Sequence, residues 1–152
     1  MDGLSQLVVF SLEGVRYALP LAAVERVIHA VEVTPLPKAP EAVLGVVNMR
    51  GRVIPIINIR RRFGLPEQPL RPTDQFIVAR TARRALGLVV DAAHGVFPLA
   101  EENVVVSDGI VPGMDYTPGV AKLDDGLVLI HDLDRFLSLD EEAALAQAMQ
   151  EA

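Results

Sequence analysis

The sequence predicts a mainly β protein, and three observations carry that prediction. Short runs rich in β-branched residues recur along the 152 residues, and Gly, Pro and Asp punctuate them at tight-turn spacing. A unit of strand, turn, strand and short helix also occurs twice.

The elements follow in order. Leu7 to Leu12, Glu13-Gly14 and Val15 to Leu19 read as a hairpin. Val24 to Val33 is rich in β-branched residues and stops before Pro35 and Pro37, so it reads as a strand. Val43 to Met49, Arg50-Gly51 and Arg52 to Ile57 form a second hairpin, in which Pro55 marks an edge or bent strand. Gln75 to Thr81 and Ala85 to Val90 flank the short turn Ala82-Arg83-Arg84. Val111 to Tyr116, with Pro112, Gly113 and Asp115, reads as loop. Gly119 to Leu123 and Leu127 to Ile130 flank Asp125-Gly126, which suits a type I′ turn.

Helix is confined to short pieces. Ile59 to Phe63 and Leu133 to Leu137 each follow a strand and have room for one or two turns. Ser138 offers an N-cap, and Asp140, Glu141 and Glu142 an acidic first turn, for an Ala-rich helix running to about Met149.

The repeat is gapless. Gly45 to Arg61 leads through two strands into a helical start, and Gly119 to Arg135 does the same at a constant offset of 74 residues. Residues 1–152 are therefore expected to form one domain of two similar β halves, with boundaries near 66–74 and 138.

Composition excludes several function classes. The chain has no cysteine, so disulfides, zinc-thiolate sites and thiol nucleophiles are excluded together. A net charge of −6 leaves no broad basic face for nucleic acid. The one dense basic run, Arg60-Arg61-Arg62, reads as a solvated face. No apolar run approaches the roughly 18 residues of a membrane span. Residues 1–6 contain Asp2 and no basic patch, which argues against a signal peptide, so a cytoplasmic location is expected. Apolar residues make up 51% of the chain and mean hydropathy is +0.33, so apolar surface in excess of a small core is expected at interfaces.

Candidate chemistry is sparse. His29, His94 and His131 stand far apart, with no second ligand at helical spacing. Ser5, Ser11, Ser107 and Ser138 lack the Gly-x-Ser-x-Gly setting of a nucleophile elbow. Asp124-Asp125 and Glu101-Glu102 are adjacent pairs whose side chains diverge, so neither offers two carboxylates to one bond. Eleven glycines are scattered without a phosphate-cradling run. No catalytic, cofactor-binding or metal-binding residue is assigned; a reaction assembled from residues distant in sequence stays open.

The segment Leu44 to Phe63, with Gly45, Asn48-Met49-Arg50-Gly51, Ile54-Pro55-Ile56-Ile57 and Asn58-Ile59-Arg60, resembles the signature of the CheW family. Met49 stands where the family has Leu, and Asn58 where it has Asp. Leu7 to Pro20, Leu86 to Asp91 and Gly119 to Phe136 look like the same family, in order, so the resemblance spans about residues 5 to 138.

The resemblance implies two SH3-like five-stranded β-barrel subdomains sharing an apolar core, with short helices and a C-terminal helix. It implies a non-catalytic, cofactor-free adaptor that couples chemoreceptors, through their cytoplasmic tip, to the regulatory domain of a CheA-type histidine kinase. No nucleic-acid binding or direct membrane insertion is expected. By family position the partner-binding candidates are Val24, Val27, Ile28, Gly45 and Arg50. Core burial for the aliphatics, a need for no side chain at Gly45, and turn geometry at Arg50 are the plain alternatives. Two other functions stay open: an adaptor of a related pathway controlling pili, biofilm or gene expression, and a small β-barrel ligand-binding domain or enzyme.

One position departs from the pattern. The family pairs the Arg of its Asn-Leu-Arg-Gly motif with a Glu on the early strand, and here Arg26 occupies that place, one residue after Glu25. Neighbouring strand residues face opposite ways, so Glu25 serves only if a bulge re-aims it. Glu32 and Glu41 are the other candidate partners for Arg50.

Overall fold

A computed structural model describes residues 6–99, 104–106, 119–123, 126–131, 133 and 137–151. Among the described residues eleven strands precede one α-helix. They are β1 (Gln6–Leu12), β2 (Val15–Pro20), β3 (Val24–His29), β4 (Val43–Met49), β5 (Arg52–Ile57) and β6 (Gln75–Arg80). Then come β7 (Ala85–Val90), β8 (Ala92–Pro98), β9 (Val104–Val106), β10 (Gly119–Leu123), β11 (Gly126–Ile130) and helix α1 (Leu139–Glu151). Leu21–Ala23 and Arg61–Phe63 are 3₁₀ turns.

The strands form a six-stranded sheet, β8-β1-β2-β11-β10-β9, and a five-stranded sheet, β3-β6-β7-β5-β4. The first therefore has one strand more than expected. Residues 66–74 join β5 to β6, two strands of the same sheet.

The two sheets follow one plan. In each, a hairpin lies parallel to the second strand of another hairpin: β2 beside β11 through Ala18–Ile130, β7 beside β5 through Gly87–Ile56. In each, a bulged strand lines the other side, β8 on β1 and β3 on β6. Val96 opposes Val8 as Val27 opposes Ile77, an offset of 69 residues, and Phe97–Leu7 matches Ile28–Phe76. The hairpin repeat at offset 74 supplies β4-β5 and β10-β11. Each repeat gives its first hairpin to one sheet and its later strands to the other, so the copies interleave.

This interleaving produces a shared core. Along β1 alternate residues face opposite ways. Leu7 and Val9 join Ala18, Ala121, Val128 and Ile130 within the six-stranded sheet. Val8, Phe10 and Leu12 join Ile57, Ile77, Leu86 and Leu88 of the five-stranded sheet in the largest cluster. Phe76 faces a third cluster with Val47, Ile54 and Ile56. Each full burial of such a side chain contributes roughly 1.5–3 kcal/mol. Helix α1 adds Leu145 and Ala148 to the shared cluster. Its start is a capping box: Ser138 Oγ accepts from Glu141 N (3.1 Å), and Ser138 N donates to Glu141 Oε1 (2.9 Å).

Several local expectations are corrected. The strand read over 24–33 ends at His29. β5 is internal, not an edge, and Pro55 fits there for a specific reason. Its partner Val46 exchanges both backbone hydrogen bonds with Thr34 (2.8 and 2.9 Å). Pro55 is therefore in a non-hydrogen-bonded pair with β4, and the β7 ladder begins only at Ile56, so no ladder bond is lost. β8 went unread because Gly95 and Pro98 break its pattern, and β9 because it is three residues long. Val111 to Tyr116 lies outside the described residues, as does most of the turn expected over Leu133 to Leu137.

Candidate functional site

Val24, Val27 and Ile28 sit on β3, one edge of the five-stranded sheet. The structure does not give them one role. Val24 packs on the shared cluster and Ile28 on the Phe76 cluster, both half-buried. Val27 remains 37% exposed.

Gly45 has a structural task. Its φ is +152°, and a Cβ there would lie 2.1 Å from the carbonyl oxygen of Thr34 and 2.8 Å from Val33 Cγ1. Only glycine admits this approach, which lets the chain beyond β3 pair with β4 at Thr34–Val46 and bends the sheet back on itself. Leu44 is the extra residue of the bulge there and stands 37% exposed.

Arg50 lies at the tip of the β4-β5 hairpin. Met49 pairs with Arg52, leaving the loop Arg50-Gly51 with φ of 53° and 85°, the positive pair of a type I′ turn. Asn48 Oδ1 holds the turn by accepting from Gly51 N at 2.9 Å. Among the described residues Arg50 makes no ion pair, and its side chain is exposed.

The bulge that would re-aim Glu25 is present, between Val24 and Arg26. Its partner is Arg52: Nη1 to Oε1 is 3.0 Å and Nη2 to Oε2 is 3.4 Å, with Arg80 Nη1 3.8 Å from the second oxygen. The hydrogen bond from Arg52 is the largest influence on the Glu25 carboxyl; burial opposes it, and with the fields of Arg52, Arg80 and Arg26 the net shift is below the ordinary glutamate range. Glu41 is engaged by Arg61, and that hydrogen bond lowers its pKa. The signal for Arg52 was in the hairpin register: a two-residue loop puts residue 50 at the tip and residue 52 on the strand.

Arg60, read as part of a solvated face, is 5% exposed. Its guanidinium bridges Glu13 in the β1-β2 turn and Asp91 between β7 and β8, with Nη2 to Asp91 Oδ1 at 2.5 Å. Asp91 also accepts from Glu13 N (2.9 Å) and Arg71 Nη2 (3.0 Å), and Arg71 pairs with Asp74. Burial lowers the Arg60 pKa, but the bonds to Glu13 and Asp91 outweigh it and the net shift is upward. Arg61 and Arg62 extend to Glu41 and Glu141, the latter tying α1 to the 3₁₀ turn.

The histidines are dispersed. His29 and His94 are exposed, and His94 Nε2 lies 3.0 Å from Ser11 Oγ. His131 is buried, its ring stacked on Phe63 at 4.3 Å and tilted against Tyr17 at 5.3 Å. Burial raises the Tyr17 pKa. No cluster of three His, Asp or Glu suited to a metal occurs among the described residues. A cavity of about 330 Å³ opens between the β6-β7 turn and the start of α1, lined by Leu86, Leu133, Leu137 and Leu139 together with Arg83 and Glu142. Glu142 is already engaged by Arg84 at 2.7 Å. No described helix is long and apolar enough to cross a membrane.

The CheW-like domain family matches residues 6–141. The chain is 29% identical over 147 residues to chemotaxis protein CheW of Treponema pallidum, covering 93% of this chain and 86% of that protein. It is 31% identical over 140 residues to chemotaxis protein CheW of Thermotoga maritima, covering 90% and 91%. Among solved structures, the scaffolding protein TtCheW from Thermoanaerobacter tengcongensis superposes with a TM-score of 0.82 at 30% identity, covering 90% of this chain and 94% of that one. With the mainly β, two-sheet architecture and the match over nearly all of its length, the chain belongs to the CheW-like family.

Proposed function

We propose that the protein is a non-catalytic adaptor that works in the cytoplasm and couples chemoreceptors to a CheA-type histidine kinase. The observation that carries this is the match of almost the whole chain, over most of the relatives' own length, to chemotaxis CheW proteins and to the scaffolding protein TtCheW. Supporting it, the strand edges present aliphatic side chains, Val27 on β3 and Val96 at the equivalent place on β8, beside polar neighbours. The kinase regulatory domain and the receptor's cytoplasmic tip are the partners, and Val27 and Arg50 are the candidate contacts. Gly45 acts by admitting the chain beyond β3 to its pairing with β4 at Thr34–Val46.

Titration calorimetry of the folded protein against the regulatory domain of its own organism's CheA-type kinase tests this. Saturable binding is expected; its absence would overturn the proposal.

A further inference from the structure

The sheet register gathers arginines that the sequence scatters. β3 begins where β6 ends, at Val24–Ala79, and β6 turns into β7 through Arg80–Ala85. β5 begins beside the start of β7, because Ile56 and Ile57 run parallel to Gly87 and Leu88, and β4 ends at Met49–Arg52. Arg26, Arg50, Arg52, Arg80 and Arg83 therefore share one end of the five-stranded sheet, and all five are exposed. Arg84 joins them but is engaged by Glu142. The acid held among the five is Glu25, in contact with Arg52 and Arg80. In a chain of net charge −6, this end is locally cationic.

The fold itself does not call for these arginines, and its internal symmetry shows it. At the offset of 69, the places of Arg26, Arg80 and Arg83 are taken by Gly95, Ser11 and Gly14 in the six-stranded sheet. At the offset of 74, the sequence counterparts of Arg50 and Arg52 are Asp124 and Gly126. The same plan is thus built in the six-stranded sheet without this set, so the plan does not require the charge.

We propose that this basic end of the five-stranded sheet is a docking surface for an acidic face of a protein partner. The inference rests on the adaptor reading and adds the chemistry of the partner. Glu25 shows how a carboxylate is received there, forked on Arg52 with a second arginine behind it. Arg50 and Arg83, which make no ion pair among the described residues, are the positions open to a partner's acids. Half-buried Ile28 and Met49 lie on the same sheet face as Arg26 and Arg52, and arginine mixed with aliphatic surface is the make-up of a protein interface. A phosphate polymer or a lipid surface fits less well. No aromatic ring stands among these side chains to stack on bases or enter a bilayer, and the remaining charge of the chain repels a polyanion.

The test compares the full chain with a triple variant, Arg26→Gln, Arg80→Gln and Arg83→Gln. These three side chains are exposed, so the thermal midpoint of the variant checks that folding is kept. Each protein is titrated with the kinase regulatory domain, the receptor's cytoplasmic tip, phosphatidylserine vesicles and duplex DNA, at about 50 and about 300 mM NaCl. The variant is expected to bind one of the two protein partners about tenfold more weakly and to lose most of the salt dependence of that binding. Wild-type binding to both proteins that the variant matches would overturn the docking surface and leave the adaptor reading standing. Absence of wild-type binding to either protein would overturn both. Tighter binding to vesicles or DNA than to either protein would overturn the choice of a protein partner.

Discussion

The carboxylate of Glu25 on β3 receives both branches of the Arg52 guanidinium, at 3.0 and 3.4 Å, across the bent five-stranded sheet. A bulge at Glu25 makes this possible, turning it out of the alternation that Arg26 and Val27 follow. Arg50, two residues before Arg52, is thereby left at the hairpin tip with its charge directed outward.

A double-mutant cycle on Glu25→Gln and Arg52→Gln should give a small favourable coupling, as for an exposed forked pair. The corresponding cycle with Arg50→Gln should give none. Because Glu25 is ionised more easily in the folded protein than in the unfolded chain, its contribution is present above the ordinary glutamate range near about pH 4.3 and is lost as pH falls through the lower folded value. Denaturant titrations of wild type and Glu25→Gln should therefore converge on acidification. A gap that widens instead would contradict the assignment.

Gly45→Ala should destabilise the fold by about 3 kcal/mol, since the new Cβ would meet the Thr34 carbonyl and the backbone would have to move. Any loss of partner binding in this variant should track loss of folded protein in thermal melts. A variant of unchanged melting temperature that no longer binds would instead make Gly45 a contact residue.

Val27 and Ile28 are neighbours with opposite expectations. Val27→Asp should leave stability within about 0.5 kcal/mol of wild type, because the side chain is already exposed, and should weaken partner binding. Ile28→Asp should cost about 2–3 kcal/mol by placing a carboxylate against the Phe76 cluster. Urea denaturation of the two variants separates the outcomes, and equal losses would mean that Val27 belongs to the core.

Arg60→Met should cost about 2–3 kcal/mol, a value reduced from that of a fully buried pair because Glu13 and Asp91 are partly exposed. It would leave Glu13 without Arg60 and Asp91 with Arg71 alone. The same substitution at Arg61, which is exposed, should leave the denaturation midpoint close to that of wild type.

Much of this was legible in the chain, and the remainder was hidden for physical reasons. The hairpins at Glu13-Gly14 and Arg50-Gly51 and the capped helix after Ser138 announce themselves through local turn and capping chemistry. The exchange of strands between repeats could not be read, because the offset of 74 records similarity and says nothing of which hairpin lies beside Ala18 or Gly87. Arg60 looked solvated because its neighbours Arg61 and Arg62 are charged, while its acids come from residues 13 and 91. The arginine cluster was invisible for the same reason: β3, the β4-β5 hairpin and the β6-β7 turn meet only through sheet register.

The most direct test of the adaptor function is titration calorimetry against the regulatory domain of the organism's own CheA-type kinase. Saturable 1:1 binding, weakened by Val27→Asp at unchanged melting temperature, is the predicted result. A folded protein that binds no kinase of this type would contradict it, and the cavity beside Leu139 would then become the place to search for a ligand.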